Sequence, residues 1–302
     1  MVGSHLSQML AKRGHEVICP VRRPIEIPGC QTIIESFEDN ILCDLDEKVD
    51  IFVNNIGHIS EHLSYDKLKS VNVDLQGKLV ESAHRLGVKR YIQVSSVSVL
   101  GLGSKDSPIT EDDRLGPRLG YGDSKRDGEK LTFNRCNELG IECVALRPTA
   151  IYGNSPKKGI SEKIRMILKT PIRMIGSGKQ KWHLVHVDDV CEACIQASNV
   201  DGIDGMSFLI AGPDPMTGGE IVKLACNAMD MPERGIRIPV WLAMGFVGVN
   251  TFLAFGKKPI ATRMTISLLA GSHEYDISRA RKYLGYEPKR YLRDELPSLL
   301  GA

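Results

Sequence analysis

The sequence predicts an α/β protein on a doubly wound parallel sheet, with a smaller, mainly helical C-terminal lobe. Two observations predict it. Short apolar, β-branched runs alternate with helical stretches over the first two-thirds of the chain. Two of those stretches stop at Gly87 and Gly140, each directly before a new apolar run, where a C′ glycine ends a helix without strain. Strands alternating with helices of this length form βαβ units whose helices cover both faces of a parallel sheet.

In chain order, the strand candidates are HEVICPV (15–21), QTIIE (31–35), VDIFVNN (49–55), KRYIQVSS (89–96), IECVALRP (141–148) and MSFLIAG (206–212). The helical stretches between them are 4–14, 64–87 and 124–140. After Gly153 a basic segment rich in Gly and Pro (157–178) interrupts the pattern, and WHLVHVDDV (182–190) resumes it. This places a dinucleotide-binding unit at 1–155, rejoined by 183–212, and a substrate lobe at 156–182 and 213–302.

Composition narrows the class. The 302 residues hold 39 Lys+Arg against 37 Asp+Glu, 42% hydrophobic residues and 25% charged ones, an ordinary globular balance. A net charge of +2 gives no reason to expect a nucleic-acid partner, which favours a strongly basic face. Eight cysteines lie scattered, mostly in apolar runs, as reduced core thiols do in a cytoplasmic protein. Cys191 and Cys194 form a CxxC inside VDDVCEACIQA, with no second Cys/His pair at zinc spacing. No signal peptide opens the chain. The longest apolar run, 239–256, contains Asn250 and Thr251 and is short for a membrane span. It reads as a buried or lid helix, with shallow peripheral membrane contact as the alternative.

The chemistry centres on YGDSK. Tyr121 and Lys125 stand four residues apart at a helix start, so their side chains share one face. A free phenol has a pKa of about 10, and a fixed ammonium one turn away favours the phenolate. Ser96 ends the strand KRYIQVSS, 25 residues earlier, at the carboxyl edge where open α/β sheets bind ligands. Its hydroxyl is placed to hold a substrate oxygen while Tyr121 moves the proton. Taken alone, Y-x-x-x-K also fits a solvated surface pair.

The surrounding segments resemble the extended short-chain dehydrogenase/reductase family, the NAD-dependent epimerase/dehydratase group. VGSHLSQMLAKRGHEV looks like the helix after its phosphate loop, and VNVDLQGKLVESA like the helix with a structural asparagine, here Asn72. VSSVSVLG resembles the serine segment, in which the serine five residues before the glycine is Ser96. LRPTAIYG, LVHVDDV and YDISRARKYLGYEPK match later segments in the family's order. The resemblance implies a Rossmann sheet with a nicotinamide cofactor, Tyr121 as general acid/base, Ser96 orienting the substrate oxygen, Lys125 on the nicotinamide ribose and Asn72 supporting a water chain to Lys125. It also implies Pro148 and Thr149 beside the carboxamide, a small-molecule substrate and a homodimer through 64–87 and 124–140.

The chain departs from the family at its beginning. Of the T-G-x-x-G-x-x-G turn only Gly3 is present, followed by Ser4, and the preceding strand is missing. That strand is central in the sheet, so its two neighbours are expected to lack a shared ladder. Two explanations stay open: an internal methionine taken as the start, or a truncation. At the end of the strand 15–21, Val21 stands where NAD-preferring relatives have an acid, followed by Arg22 and Arg23. These suit a 2′-phosphate, hence NADP rather than NAD; exposed loop charge is the other reading. Asn54, Asn55 and Gly57 end the third strand and are candidates to line the cofactor.

The reaction is narrowed by two absences. No carboxylate follows Ser96 in Ser96-Val97-Ser98-Val99, which disfavours a dehydratase. Trp182, flanked by Lys179 and Lys181, replaces the arginine by which sugar-nucleotide epimerases hold a diphosphate. Trp182 and the run 239–256 suggest an apolar substrate pocket, or core filling. The whole looks most like the 3β-hydroxysteroid dehydrogenase and dihydroflavonol-4-reductase branch. The expectation is an oxidoreductase interconverting a secondary alcohol and a ketone. The alternatives are a nucleotide-sugar 4-epimerase with bound NAD and a non-catalytic dinucleotide-binding assembly protein. His58, His62 and His84 read as loop or surface residues, and His186, Asp188 and Asp189 as packing and capping residues.

Overall fold

The structure, a computed structural model, describes residues 1–38, 41–60, 63–101, 103, 105, 107–116, 119–153, 162, 164, 165, 168–253 and 262–301. His62, most of the segment 154–167 and the end of the apolar run therefore lie outside the described residues. Helix α1 (Val2–Lys12) leads into β1 (Ile18–Val21) and β2 (Gln31–Ile34). Then come β3 (Ile51–Asn54), α2 (Tyr65–Lys69), a π-helical turn (Ser70–Asp74), α3 (Leu75–Arg85) and β4 (Arg90–Val94). A 3₁₀ turn (Val97–Leu100), α4 (Leu119–Leu139), β5 (Glu142–Pro148) and β6 (Ile151–Tyr152) complete the first part. Gly87 and Gly140 end their helices at φ +73° and +70°, as the sequence leads one to expect.

Beyond Gly153 follow β7 (Ile172–Ile175), β8 (Lys181–Trp182), β9 (Val185–His186), α5 (Val187–Asn199) and β10 (Ser207–Ile210). The chain ends with β11 (Met216–Thr217), α6 (Gly218–Ala228), β12 (Ile236–Ile238), α7 (Val240–Leu253), α8 (Arg263–Ala270), α9 (Ser278–Leu284) and α10 (Leu292–Gly301).

The main sheet is parallel in the order β10-β5-β4-β3, while β1 and β2 form a separate parallel pair. Among the described residues no ladder joins β1 to β3. The break falls where the sequence reading lacks the family's first strand. Side-chain alternation along the buried strands feeds two cores. Ile92, Val94, Val144 and Leu146 pack with α1, α5 and α9 on one face, and Tyr91 and Cys143 pack with α3 and Cys136 of α4 on the other. Ile277, Ala280, Leu284 and Tyr286 join the first of these cores, so this part of the 213–302 stretch packs on the sheet. A third core holds Ile221, Leu292 and Leu296 of the smaller lobe.

Helix α5 is capped as expected: His186 accepts from Asp188 N at 3.2 Å, and Asp189 accepts from Lys289 N at 3.0 Å and Arg290 N at 3.1 Å. Cys191 and Cys194 are buried, and burial pushes the Cys194 thiol up to about 12. Among the described residues there is no His/Cys/Asp/Glu cluster able to hold a metal ion, and no helix is long and apolar enough to cross a membrane.

One expected helix is not continuous. The stretch 64–87 is broken by the π turn at Ser70–Asp74, a wider turn with one extra residue. The neighbour that meets it is α4, and Gly128 is the point of closest approach: a Cβ there would lie 1.8 Å from the Asn72 carbonyl oxygen. Gly128→Ala must push the two elements apart and is expected to destabilise the fold by about 1–3 kcal/mol, read as a lowered midpoint in urea unfolding.

Candidate active site

Strand β4 delivers the first group. It ends at Val94, and the chain then turns into the 3₁₀ segment, where Ser96 Oγ accepts from Ser98 N at 3.2 Å. Helix α4 delivers the other two. Burial pushes the Tyr121 phenol above its ordinary pKa, and hydrogen bonding toward the Ser96 side chain opposes that. One turn on, Lys125 Nζ donates to the Val94 carbonyl at 3.1 Å. Ser96, Tyr121 and Lys125 therefore converge at the carboxyl end of β4.

Lys125 behaves differently from the expectation. The ammonium was expected to depress the phenol, yet the Tyr121 phenol sits high and answers to Ser96. Lys125 is instead turned to the Val94 carbonyl, and burial brings its own pKa down to about 8, against the upward pull of the Glu129 carboxylate. Glu129 is itself held by Arg147 at 2.6 Å, and both are largely buried. This charged pair beneath the site has no signature in the sequence words that identify the tyrosine and lysine.

The fourth expected residue, Asn72, is buried in the π turn. Its Oδ1 accepts from His58 N at 2.7 Å, and its Nδ2 donates to His58 O at 3.1 Å and to Ser124 Oγ at 2.9 Å. Ser124 Oγ in turn donates to the Tyr121 carbonyl at 2.8 Å. A Cβ at Gly57 would stand 3.5 Å from Lys125 Nζ and 3.6 Å from Asn72 Oδ1, so Gly57 keeps a gap open between them. Ser124 and Gly128 were missed by the sequence reading; a glycine inside a helical pattern was the available signal.

The proposed cofactor contacts divide. Gly3 and Ser4 lie in the first turn of α1, and a Cβ at Gly3 would fall 2.9 Å from Asn55 Nδ2. Pro148 ends β5, and Thr149 N bonds Ile210 O at 3.0 Å. Arg22 and Arg23 are exposed just after β1, with the Arg22 guanidinium 5.8 Å from the Phe37 ring centre. Asn54 is a correction. It is 1% exposed and donates to Gln76 Oε1 at 2.6 Å, Tyr91 OH at 2.8 Å and Gln93 Oε1 at 3.0 Å. Its amide is spent inside the protein, because a buried polar side chain must find partners.

The residues at the strand ends fit a nicotinamide dinucleotide. Ser95 Oγ and Thr149 Oγ1, just past the ends of β4 and β5, are buried without a hydrogen-bond partner among the described residues. A second opening, of about 110 Å³, is bordered by Ser60, Leu63, Tyr121, Thr262, Arg263 and Met264. It joins Tyr121 to the start of α8. Arg263 is exposed and has no ion-pair partner among the described residues. Trp182 packs at the edge of the smaller lobe's core, with its indole nitrogen buried and without a hydrogen-bond partner among the described residues.

The model of the NAD dependent epimerase/dehydratase family matches residues 1–211. The chain belongs to that family. Its members are NAD-dependent enzymes of the extended short-chain dehydrogenase/reductase type, and the Ser96, Tyr121 and Lys125 cluster lies inside the matched span. The chain is 27% identical to a UDP-glucose 4-epimerase of Vibrio cholerae, over 75% of this chain and 66% of that protein. It is 22% identical to a 2-alkyl-3-oxoalkanoate reductase of Stenotrophomonas maltophilia, over 99% of this chain and 95% of that protein. A 3beta-hydroxysteroid-dehydrogenase/decarboxylase isoform 2 of Arabidopsis thaliana is 24% identical, over 72% of this chain and 42% of that protein. The match thus spans slightly under two thirds of the Vibrio protein, and less of the Arabidopsis one. Among solved structures, MoeE5 in complex with UDP-glucose and NAD superposes at TM-score 0.77 with 22% identity, covering 99% of this chain and 94% of that one. A UDP-glucuronic acid 4-epimerase of Bacillus cereus with NAD superposes at 0.75 with 20% identity, covering 98% and 93%. These likenesses show a shared fold.

Lys125 gives a pH test. Folding lowers its pKa from 10.5 to about 8, so between those values the unfolded chain binds more protons and stability rises with pH. Below pH 8 the burial cost is fully present. Relative to Lys125→Met, the protein is expected to gain on the order of 3 kcal/mol from pH 8 to pH 10.5, read from denaturant unfolding of both proteins at each pH.

Proposed function

We propose that the chain is an NAD(P)-dependent oxidoreductase that interconverts a secondary alcohol and a ketone. The observation that carries this reading is Tyr121, which borders an opening of about 110 Å³ and interacts with Ser96 just past the end of β4, with Lys125 buried one turn along α4 on the Val94 carbonyl. When bound, the cofactor supplies or accepts the hydride. In the reducing direction Ser96 holds the ketone oxygen and Tyr121 donates the proton to it, leaving a phenolate. Lys125, one turn along α4 and with burial bringing its pKa down to about 8, is able to give up or take back a proton at near-neutral pH as the phenolate is reprotonated. Asn72 and Ser124 keep α4 and the His58 segment in register, so that tyrosine and lysine stay aligned. Gly3, Ser4, Asn55, Gly57, Lys125, Pro148 and Thr149 would hold the dinucleotide, with Arg22 and Arg23 suited to a 2′-phosphate.

Arg263 refines the substrate. It brings to the opening beside Tyr121 a guanidinium with no ion-pair partner among the described residues, which suits an acidic group near the reacting carbon. The relative that matches over nearly its whole length is named for reducing 2-alkyl-3-oxoalkanoates, which have a carboxylate beside the ketone and an alkyl chain. The proposed substrate class is therefore an oxo acid, or the matching hydroxy acid, with an apolar chain.

A nucleotide-sugar 4-epimerase is the second reading. A cleft of about 390 Å³ bordered by Lys223, Arg234 and Arg237, with the carboxylate Glu233 and with Arg173 held by backbone carbonyls, favours it by its net positive lining, because a diphosphate needs such charge. Trp182 in place of the diphosphate-binding arginine speaks against it. Steady consumption of NADPH with an alkyl oxo acid supports the reductase; turnover of a UDP-sugar with no net cofactor consumption overturns it.

Two substitutions test the assignments. Tyr121→Phe is expected to lower turnover by about 10²–10⁴-fold with cofactor affinity unchanged in a fluorescence titration. Arg263→Ala is expected to raise KM for an oxo acid by about tenfold to a hundredfold while leaving a neutral ketone nearly unaffected, measured by initial rates.

A further inference from the structure

We propose that the outer face of α7 docks the protein on an anionic lipid bilayer, with the helix lying in the plane of the interface. Helix α7 carries no charged residue along VWLAMGFVGVNTFL. Its inner side is accounted for, because Ala243 and Val247 pack with Ile266 of α8, joined by Ile175 and Ile238. Its outer side is not. Trp241 is 74% exposed, Phe246 54% and Leu242 49%, and Ile236 just before the helix is 54% exposed. A Cβ at Gly245 would meet nothing within 4 Å. A helix that is apolar all round wants an apolar neighbour on both sides, and clustered exposed apolar side chains mark an interaction surface.

Charge identifies the neighbour. Between residues 231 and 265 the sequence has the cations Arg234, Arg237, Lys257, Lys258 and Arg263 and a single carboxylate, Glu233. None of the five lies within α7; they fall before and after it. Arg234, Arg237 and Arg263 are exposed and have no ion-pair partner among the described residues. An apolar helix with an exposed tryptophan and flanking cations fits the boundary between acyl chains and anionic headgroups. The described part of the helix has 14 residues, and among the described residues no helix is long and apolar enough to cross a membrane, which suits a helix lying along the surface. A second copy fits less well, because a two-fold contact sets this cationic rim against itself. The proposal does not depend on which reaction the site performs.

The test is co-sedimentation of the full chain with vesicles of phosphatidylcholine alone and of phosphatidylcholine mixed with phosphatidylglycerol. Binding is expected to the mixed vesicles only, weakening as salt is raised. The double variant Trp241→Ser, Phe246→Ser is expected to bind at least about tenfold less, and Arg234→Glu with Arg237→Glu to lose the preference for anionic vesicles. Thermal unfolding of each variant checks that the fold is intact. No sedimentation with either vesicle, or unchanged binding by the folded Trp241→Ser, Phe246→Ser protein, overturns the proposal. So does a dimer on size-exclusion chromatography that the same double variant converts to monomer, since the occupant is then a second copy.

Discussion

The close approach of α4 to the π turn is the constraint on which the site depends. Gly128 lets the Asn72 carbonyl come within a distance that no side chain permits. That contact fixes where α4 lies over the sheet, and thereby where Tyr121 and Lys125 stand above the end of β4. Asn72 bonds the same helix through Ser124 and the opposite wall through His58. One buried amide thus ties together three segments that are distant in the chain.

Beneath this contact lies an unusual density of buried charge. Lys125, Glu129 and Arg147 sit along one line from α4 to β5, and Arg147 also donates to the Glu111 carbonyl at 2.9 Å. Glu111 in turn accepts from Leu209 N of β10 at 2.9 Å. A lone buried ammonium would be expelled or neutralised. Here the Glu129 carboxylate partly offsets desolvation, so that Lys125 is left able to exchange its proton near neutral pH instead of being locked in one state. The stability given up in burying these charges is exchanged for a lysine with a useful pKa.

Much of the sheet and the hydroxyl–phenol–amine cluster was legible in the sequence. Ser96, Tyr121, Lys125 and Asn72 belong to short words whose spacing reflects local geometry, and glycines at 87 and 140 mark helix ends by their positive φ. What was not legible depends on neighbours far away in the chain. The π turn reads as ordinary helix because its composition is helical; the partner glycine lies more than fifty residues later. Asn54 ends a strand pointing to the crevice, yet its side chain is claimed by Gln76, Tyr91 and Gln93. The direction of the Tyr121 shift was misjudged because helical spacing places Lys125 near the phenol without saying that its amine faces the Val94 carbonyl. Arg263 joined the site only through the packing of α8, which no local motif announces.

The docking of α1 has a consequence for the order of assembly. Its contacts are with α5: His5 meets Asp188 across 183 residues, and Arg13 meets Glu192 across 179, while Leu6 is buried in the same core as Cys191. On the ribosome, at about 5–20 residues per second, this helix waits roughly ten to forty seconds with its apolar stripe uncovered before its partner has been made. Early folding therefore rests on the β3–β4–β5 region and its own helices, and the core that α1 shares with α5 is completed only when α9 has also been made.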